Sequence, residues 1–148
     1  MAIKQIQKSI QIQAPATKVW EILFTDAFYR VWAAEFQPGS YFETDWAEGS
    51  KVYFKGDTGG GLIGHISSNL PNEYLEITYD GLLGENGVED FDSEDAKVFK
   101  NSTESYKLTE ENGQATLDIN SGMDEQYYDD MAEAWDRALL KIKQMSEV

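Results

Sequence analysis

The stretch Ile12-Gln13-Ala14-Pro15-Ala16-Thr17-Lys18-Val19-Trp20-Glu21-Ile22-Leu23 changes its hydrophobic period halfway along. Upstream, Ile6, Ile10 and Ile12 share one parity while Gln5, Gln7, Ser9, Gln11 and Gln13 hold the other, the alternation of a strand with one wet face. Ala14-Pro15 stops that strand, and proline suits the first turn of a helix, where its missing N–H costs nothing. Val19, Trp20, Leu23 and Phe24 then recur at helical spacing. They predict a short helix from about Pro15 to Phe24, followed by a second short helix carrying Phe28, Tyr29 and Trp32.

From Tyr41 onward the chain breaks into short aromatic and β-branched runs bounded by Gly, Pro or Asn. Tyr41–Trp46, Lys51–Lys55, Leu62–Ser68, Tyr74–Tyr79, Val98–Thr109 and Gln114–Asn120 read as strands. The separators Ala47-Glu48-Gly49-Ser50, Asn69-Leu70-Pro71-Asn72 and Glu110-Glu111-Asn112-Gly113 are short, so neighbouring strands should pair antiparallel as a meander. The period changes once more at the end. Tyr128, Met131, Trp135, Leu139, Ile142 and Met145 mark one face of a long helix from roughly Asp124 to Met145, with acidic residues at its start and Lys141 and Lys143 near its end, as the helix dipole favours. Strand, two short helices, six strands and a long helix make an α+β chain whose sheet is covered by its last helix.

The whole chain, residues 1–148, has the size of one domain and can bury a continuous core without disulfides or metal. With no cysteine, thiolate nucleophiles and cysteine-ligated zinc or iron–sulfur sites are excluded. A formal charge of −15 would repel phosphate backbones and anionic membrane surfaces, so neither nucleic acid nor membrane is an expected partner. No segment has the apolar length to cross a bilayer, the N-terminus lacks the apolar run of a signal peptide, and cytoplasmic residence follows by default.

With the elements in place, the stretch from Ile12 to Leu23 resembles the opening signature of the SRPBCC superfamily, the START-like or helix-grip fold: a strand ending in Ala-Pro, then a helix bearing Val-Trp and a later Leu. Trp32 resembles the tryptophan that closes the second short helix, and Trp46-Ala47-Glu48-Gly49-Ser50 the family's Trp-x-x-Gly hairpin. Gly64-His65-Ile66, Pro71 and Leu75-Glu76-Ile77-Thr78-Tyr79 are similar to its paired strands, and Trp135 with Leu139 to its last helix. The order and spacing are most similar to the branch of heat-shock-protein ATPase activator C-terminal domains. The resemblance implies a curved antiparallel sheet wrapped round the long helix, with a hydrophobic cavity between them.

Several features invite chemical readings. Gly59, Gly61 and Gly64 match the spacing of a dinucleotide fingerprint, but that motif needs a helix to open inside it, and Leu62–Ser68 reads as a strand. The acidic run Glu85, Glu89, Asp90, Asp92, Glu94 and Asp95 offers oxygen ligands without the glycine and terminal glutamate of an EF-hand loop. It is read as a solvated, mobile loop placed to act as a lid, and no metal is expected. Asn101-Ser102-Thr103 is a glycosylation sequon by pattern alone. His65 is the lone histidine, which rules out a multi-histidine metal site. It is either a hydrogen-bonded surface residue or, if it faces inward, a group that orients a carbonyl ligand.

The aromatic residues remain. Trp32, Phe36, Trp46, Phe54, Tyr79, Tyr106, Tyr128 and Trp135, with Met131, lie on elements that the resemblance folds round one interior. Each one alone is core packing. Together with His65 they are the candidate lining of a pocket for a small hydrophobic or aromatic molecule, needing no cofactor. Alternatively the acidic surface engages a chaperone or other basic protein partner. A weaker third option is a cyclase- or hydrolase-like enzyme, for which no catalytic constellation is legible.

Overall fold

A computed structural model describes residues 2–148; Met1, at the head of the alternating N-terminal segment, lies outside them. The alternation becomes strand β1 (Ile3–Ile12), with Ile6 and Ile12 buried and Gln5, Gln7 and Gln11 exposed. Pro15 keeps an extended backbone and helix α1 (Ala16–Phe24) starts directly after it. A single residue, Thr25, joins α1 to α2 (Asp26–Ala33): its N–H donates to the Glu21 carbonyl, and its own carbonyl accepts from Phe28 and Tyr29. This tight corner places Val19, Ile22, Leu23, Tyr29 and Trp32 on one buried side.

Seven further strands follow: β2 (Tyr41–Glu43), β3 (Lys51–Lys55), β4 (Gly61–Leu70), β5 (Tyr74–Leu83), β6 (Glu89–Asp90), β7 (Thr103–Glu111) and β8 (Gln114–Asp124). A six-residue helix, α3 (Glu94–Phe99), lies between β6 and β7, and the chain ends in a 3₁₀ turn (Glu125–Tyr127) and α4 (Tyr128–Ser146). The sheet runs β1-β8-β7-β5-β4-β3-β2 with every neighbour antiparallel, and β6 pairs beside the far end of β5. This curved sheet, with short helices and a long C-terminal helix, is the α+β helix-grip arrangement.

Period-two burial is cleanest on the central strands. Leu75, Ile77 and Tyr79 of β5, Tyr106 and Leu108 of β7, and Ala115, Leu117 and Ile119 of β8 all face the same core. Burying each Leu or Ile stabilises the fold by about 1.5–3 kcal/mol. Helix α4 meets β1, α1 and α2 through Ala134, Trp135, Ala138, Leu139 and Ile142. The two alanines let the helix sit close, and Trp135 supplies the bulk. At Gly64 a β-carbon would stand 2.7 Å from the Thr78 carbonyl oxygen, so β4 and β5 approach there only because the side chain is missing.

Several boundaries differ from the sequence reading, each for a local reason. The strand expected over Tyr41–Trp46 ends at Glu43, because the Thr44 hydroxyl and Asp45 carboxylate accept the N–H groups of Trp46 (3.2 Å) and Ala47 (3.0 Å), and Trp46 takes a left-handed backbone with φ of 63°. Val98 and Phe99, expected to open a strand, belong to α3: Ser93 caps that helix by accepting the Ala96 N–H at 3.1 Å, and Asn101 at φ 70° turns the chain into β7. β4, β5 and β8 run past their expected ends. The last helix starts at Tyr128 rather than Asp124, since Asp124 is still paired with Ile3 across the β1–β8 ladder.

The acidic stretch is built structure and not a bare loop. Glu89 accepts from the Lys51 ammonium at 2.6 Å and from the Tyr53 hydroxyl at 3.1 Å, Asp90 accepts the N–H groups of Asp92 and Ser93, and Ala96 is fully buried.

Candidate functional site

Between the sheet and helices α2 and α4, side-chain packing leaves a cavity of about 380 Å³. Helix α2 and the residues after it bring Tyr29, Trp32 and Phe36 to its wall, and α4 brings Met131 and Trp135. The sheet contributes Phe54 from β3, Leu62 from β4, Tyr79 from β5, and Glu104 and Tyr106 from β7, with Ser121 and Met123 from β8. Gln37, Ser40, Lys55, Phe99 and Tyr127 complete the boundary. The rings form a continuous set of edge and stacked contacts. Trp32 stacks on Trp135 with centroids 6.0 Å apart, Phe36 meets Trp135 edge-on at 4.8 Å, and Tyr29 meets Trp32 edge-on at 4.8 Å. The Trp32 indole N–H is satisfied by the Ile22 carbonyl at 3.2 Å.

Into this apolar wall the sheet register inserts one carboxylate. Glu104 lies directly opposite Ser121 on one side and Ile77 on the other, on the same parity as Tyr106. One of its oxygens accepts from the Tyr79 hydroxyl at 3.1 Å and the Ser121 hydroxyl at 3.2 Å, and the other accepts from the Tyr106 hydroxyl. Burial pushes the Glu104 carboxyl above its ordinary pKa, while the hydrogen bonds from Tyr106, Tyr79 and Ser121 pull the other way. Burial first, and the neighbouring Glu104 second, push the Tyr29, Tyr79 and Tyr106 phenols far above their usual range, so all three stay protonated. Lys55, the cation at the rim, is engaged by Glu43 at 2.6 Å.

Of the residues singled out from sequence, Trp32, Phe36, Phe54, Tyr79, Tyr106, Met131 and Trp135 meet at this cavity, and three do not. Trp46 lies beneath the wall, packed against Phe24 and Phe42 at 4.8 Å each, because its left-handed turn drops the ring into the aromatic layer. His65 stands opposite Thr78 and turns outward, its Nδ1 2.9 Å from an Asp80 carboxylate oxygen, with both side chains more than a third exposed (41% and 37%). Tyr128 packs under Lys4, 5.7 Å above its ring, because the 3₁₀ turn shifts the helical phase and presents Tyr127 to the cavity instead. The glycines Gly59 to Gly61 close the β3–β4 turn and lead into a strand. Among the described residues no group of three or more His, Asp or Glu side chains could hold a metal ion.

The sequence reading missed Tyr29, Glu104 and Ser121. Tyr29 stands three residues before Trp32 on the same helix face, and Glu104 shares the parity of Tyr106, which hints at the side each faces but not at a place in the cavity wall. Ser121 fell just past the expected end of β8.

Compared with known proteins, the sequence matches over residues 13–147 the profile of a family described as Activator of Hsp90 ATPase homolog 1-like protein. No curated protein matches. Among solved structures, protein MLL2253 from Mesorhizobium loti superposes with a TM-score of 0.73 at 19% identity, covering 96% of each chain. The Aha1 dimer from Colwellia psychrerythraea gives 0.68 at 17% identity, covering 98% of this chain and 97% of that one. CalU16 from Micromonospora echinospora gives 0.66 at 18% identity, covering 95% and 73%. At such identities the likeness concerns the fold. Among the described residues no helix is long and apolar enough to cross a membrane.

Proposed function

This chain belongs to the Activator of Hsp90 ATPase homolog 1-like family, a branch of the SRPBCC superfamily, and on that footing we propose that it binds one small hydrophobic or aromatic molecule in its internal cavity. The observation that carries the proposal is the cavity itself. At about 380 Å³ it lies above the roughly 300 Å³ at which small-molecule pockets begin, and its walls are aromatic and methionine side chains round a few fixed polar groups. Filling the space with ring carbon would recover dispersion contacts that the wall now lacks. The proposed binding residues are Trp32, Phe36, Phe54, Tyr79, Tyr106, Met131 and Trp135, joined by Tyr29 and Glu104.

The test is a ligand screen read by NMR shifts of the Trp32 and Trp135 indole N–H groups. Lipids, aromatic acids, aromatic amines and polyketide-like compounds form the panel. Shifts confined to these and neighbouring wall residues are expected. If every compound leaves them unmoved, or shifts map to the outer face round His65, the cavity is only a packing defect.

A second reading, a chaperone-regulating adaptor, draws on the family description and on the net charge of −15, which would steer a basic surface toward this chain. It predicts a salt-sensitive change in the ATP hydrolysis rate of a purified Hsp90-type chaperone on adding the chain. An unchanged rate across ionic strengths would eliminate it.

A further inference from the structure

Apart from Lys55, Gln37 and the Trp indoles, the polar side chains that line the cavity are hydroxyls and the Glu104 carboxyl, all able to accept a hydrogen bond. A carboxylate offers roughly four lone-pair positions. The hydroxyls of Tyr79, Ser121 and Tyr106 can fill three on Glu104, which leaves one on the oxygen held by Tyr106. Hydroxyls that donate to Glu104 turn their own lone pairs outward. Tyr29 is only 8% exposed and lines the same space, and its hydroxyl has no hydrogen-bond partner among the described residues. Among the described residues no Lys, Arg or His side chain pairs with Glu104, and Lys55 at the rim is held by Glu43. A half-buried carboxylate that has no counter-cation among the described residues, lining a cavity walled by Trp32 and Trp135, is the complement of a positive charge on an apolar body.

We propose that the cavity selects a protonated amine carried on an aromatic or alicyclic ring, with the ammonium against Glu104 and Tyr29 and the ring against the apolar wall that Trp32 and Trp135 form together. This deepens the cavity-binding reading and rests on it. The ammonium would donate to the free lone pair of Glu104 and to the Tyr29 oxygen, and the ring would take up the apolar volume. The negative field of the whole chain would favour entry of a cation.

The test uses the full chain at neutral pH and three probes that share one ring: naphthylmethylamine, naphthylmethanol and naphthoate, titrated calorimetrically. The amine should bind about tenfold or more tightly than the alcohol, as expected for a charge-assisted hydrogen bond, and naphthoate should be weakest. Glu104→Gln should collapse the amine-to-alcohol ratio toward one, and Tyr29→Phe should lower it in part. Equal affinity of amine and alcohol would overturn the proposal while leaving the cavity reading standing. So would tightest binding of naphthoate, the result if Glu104 acts as a protonated donor. An amine preference that survives Glu104→Gln would mean attraction to the acidic exterior and would also overturn it. If none of the three binds in the cavity, this proposal falls, and the wider panel decides the cavity reading.

Discussion

Glu104 faces Tyr29 of α2, Tyr79 of β5, Tyr106 of β7 and Ser121 of β8, and none of these brings a positive charge. Desolvation, with no cation to offset it, therefore raises its carboxyl above the ordinary value of 4.5 in the folded chain. The linkage sign follows: protonated Glu104 favours the fold below that value, and the contribution is lost as pH rises through the raised one. Thermal unfolding of the wild type and of Glu104→Gln, compared from about pH 4 to 8, should show the stability of the wild type relative to the variant declining as pH rises. A relative stability that grows with pH would contradict the assignment. Trp46 is governed by packing. Its ring lies among Phe24, Phe42 and Phe54, and its buried indole N–H lacks a partner among the described residues. Trp46→Ala should cost about 3–5 kcal/mol in urea unfolding, and Trp46→Phe, which keeps a ring and removes the unpaired N–H, markedly less.

At the scale of elements, helix ends are tied down by distant groups. Pro15 precedes α1 without a side chain able to cap it, and the Ala16 N–H instead donates to the Glu110 carboxylate at 2.6 Å from the β7–β8 hairpin. Glu110→Ala should therefore lower global stability by about 1 kcal/mol, as loss of an N-terminal cap does, although the residue is 94 positions away in sequence. A change in denaturation midpoint no larger than that of a control substitution at Glu111 would show the contact to be idle. Helix α3 depends on Ser93 and carries Phe99 to the cavity boundary. Ser93→Ala should speed amide hydrogen exchange over Ala96–Lys100 without a comparable effect on α4. This short helix was illegible in the sequence because six residues carry too little periodicity to compete with the β-branched and aromatic pair Val98-Phe99. The 19-residue α4, spanning several turns, was legible despite a boundary shifted by the 3₁₀ turn.

For the whole molecule, the excess of 27 acidic over 12 basic residues makes self-repulsion a general cost. The ion pairs seen lie at the surface, with both side chains exposed in Arg30–Asp26 and one of the two in Lys8–Asp136, and contribute little each. Raising salt from about 10 to 500 mM screens both effects. Repulsion should dominate, so the melting temperature should rise; a fall would show that the ion pairs matter more than the net charge.

The sequence by itself determined the order of the main elements, β6 and α3 apart, the antiparallel pairing and most of the residues that meet in the interior. Those depend on local period, turn chemistry and ordered motifs, which are written along the chain. Tertiary structure alone decided that Trp46, His65 and Tyr128 leave the cavity wall while Tyr29, Glu104 and Ser121 join it. Which parity faces inward, where a left-handed turn drops a ring, and which strands lie side by side depend on contacts between residues far apart in sequence. Glu104 shows the difference most clearly. In the sequence it is one more acidic residue of an acidic chain, and only the β5–β7–β8 register surrounds it with hydroxyls and leaves it without a cation.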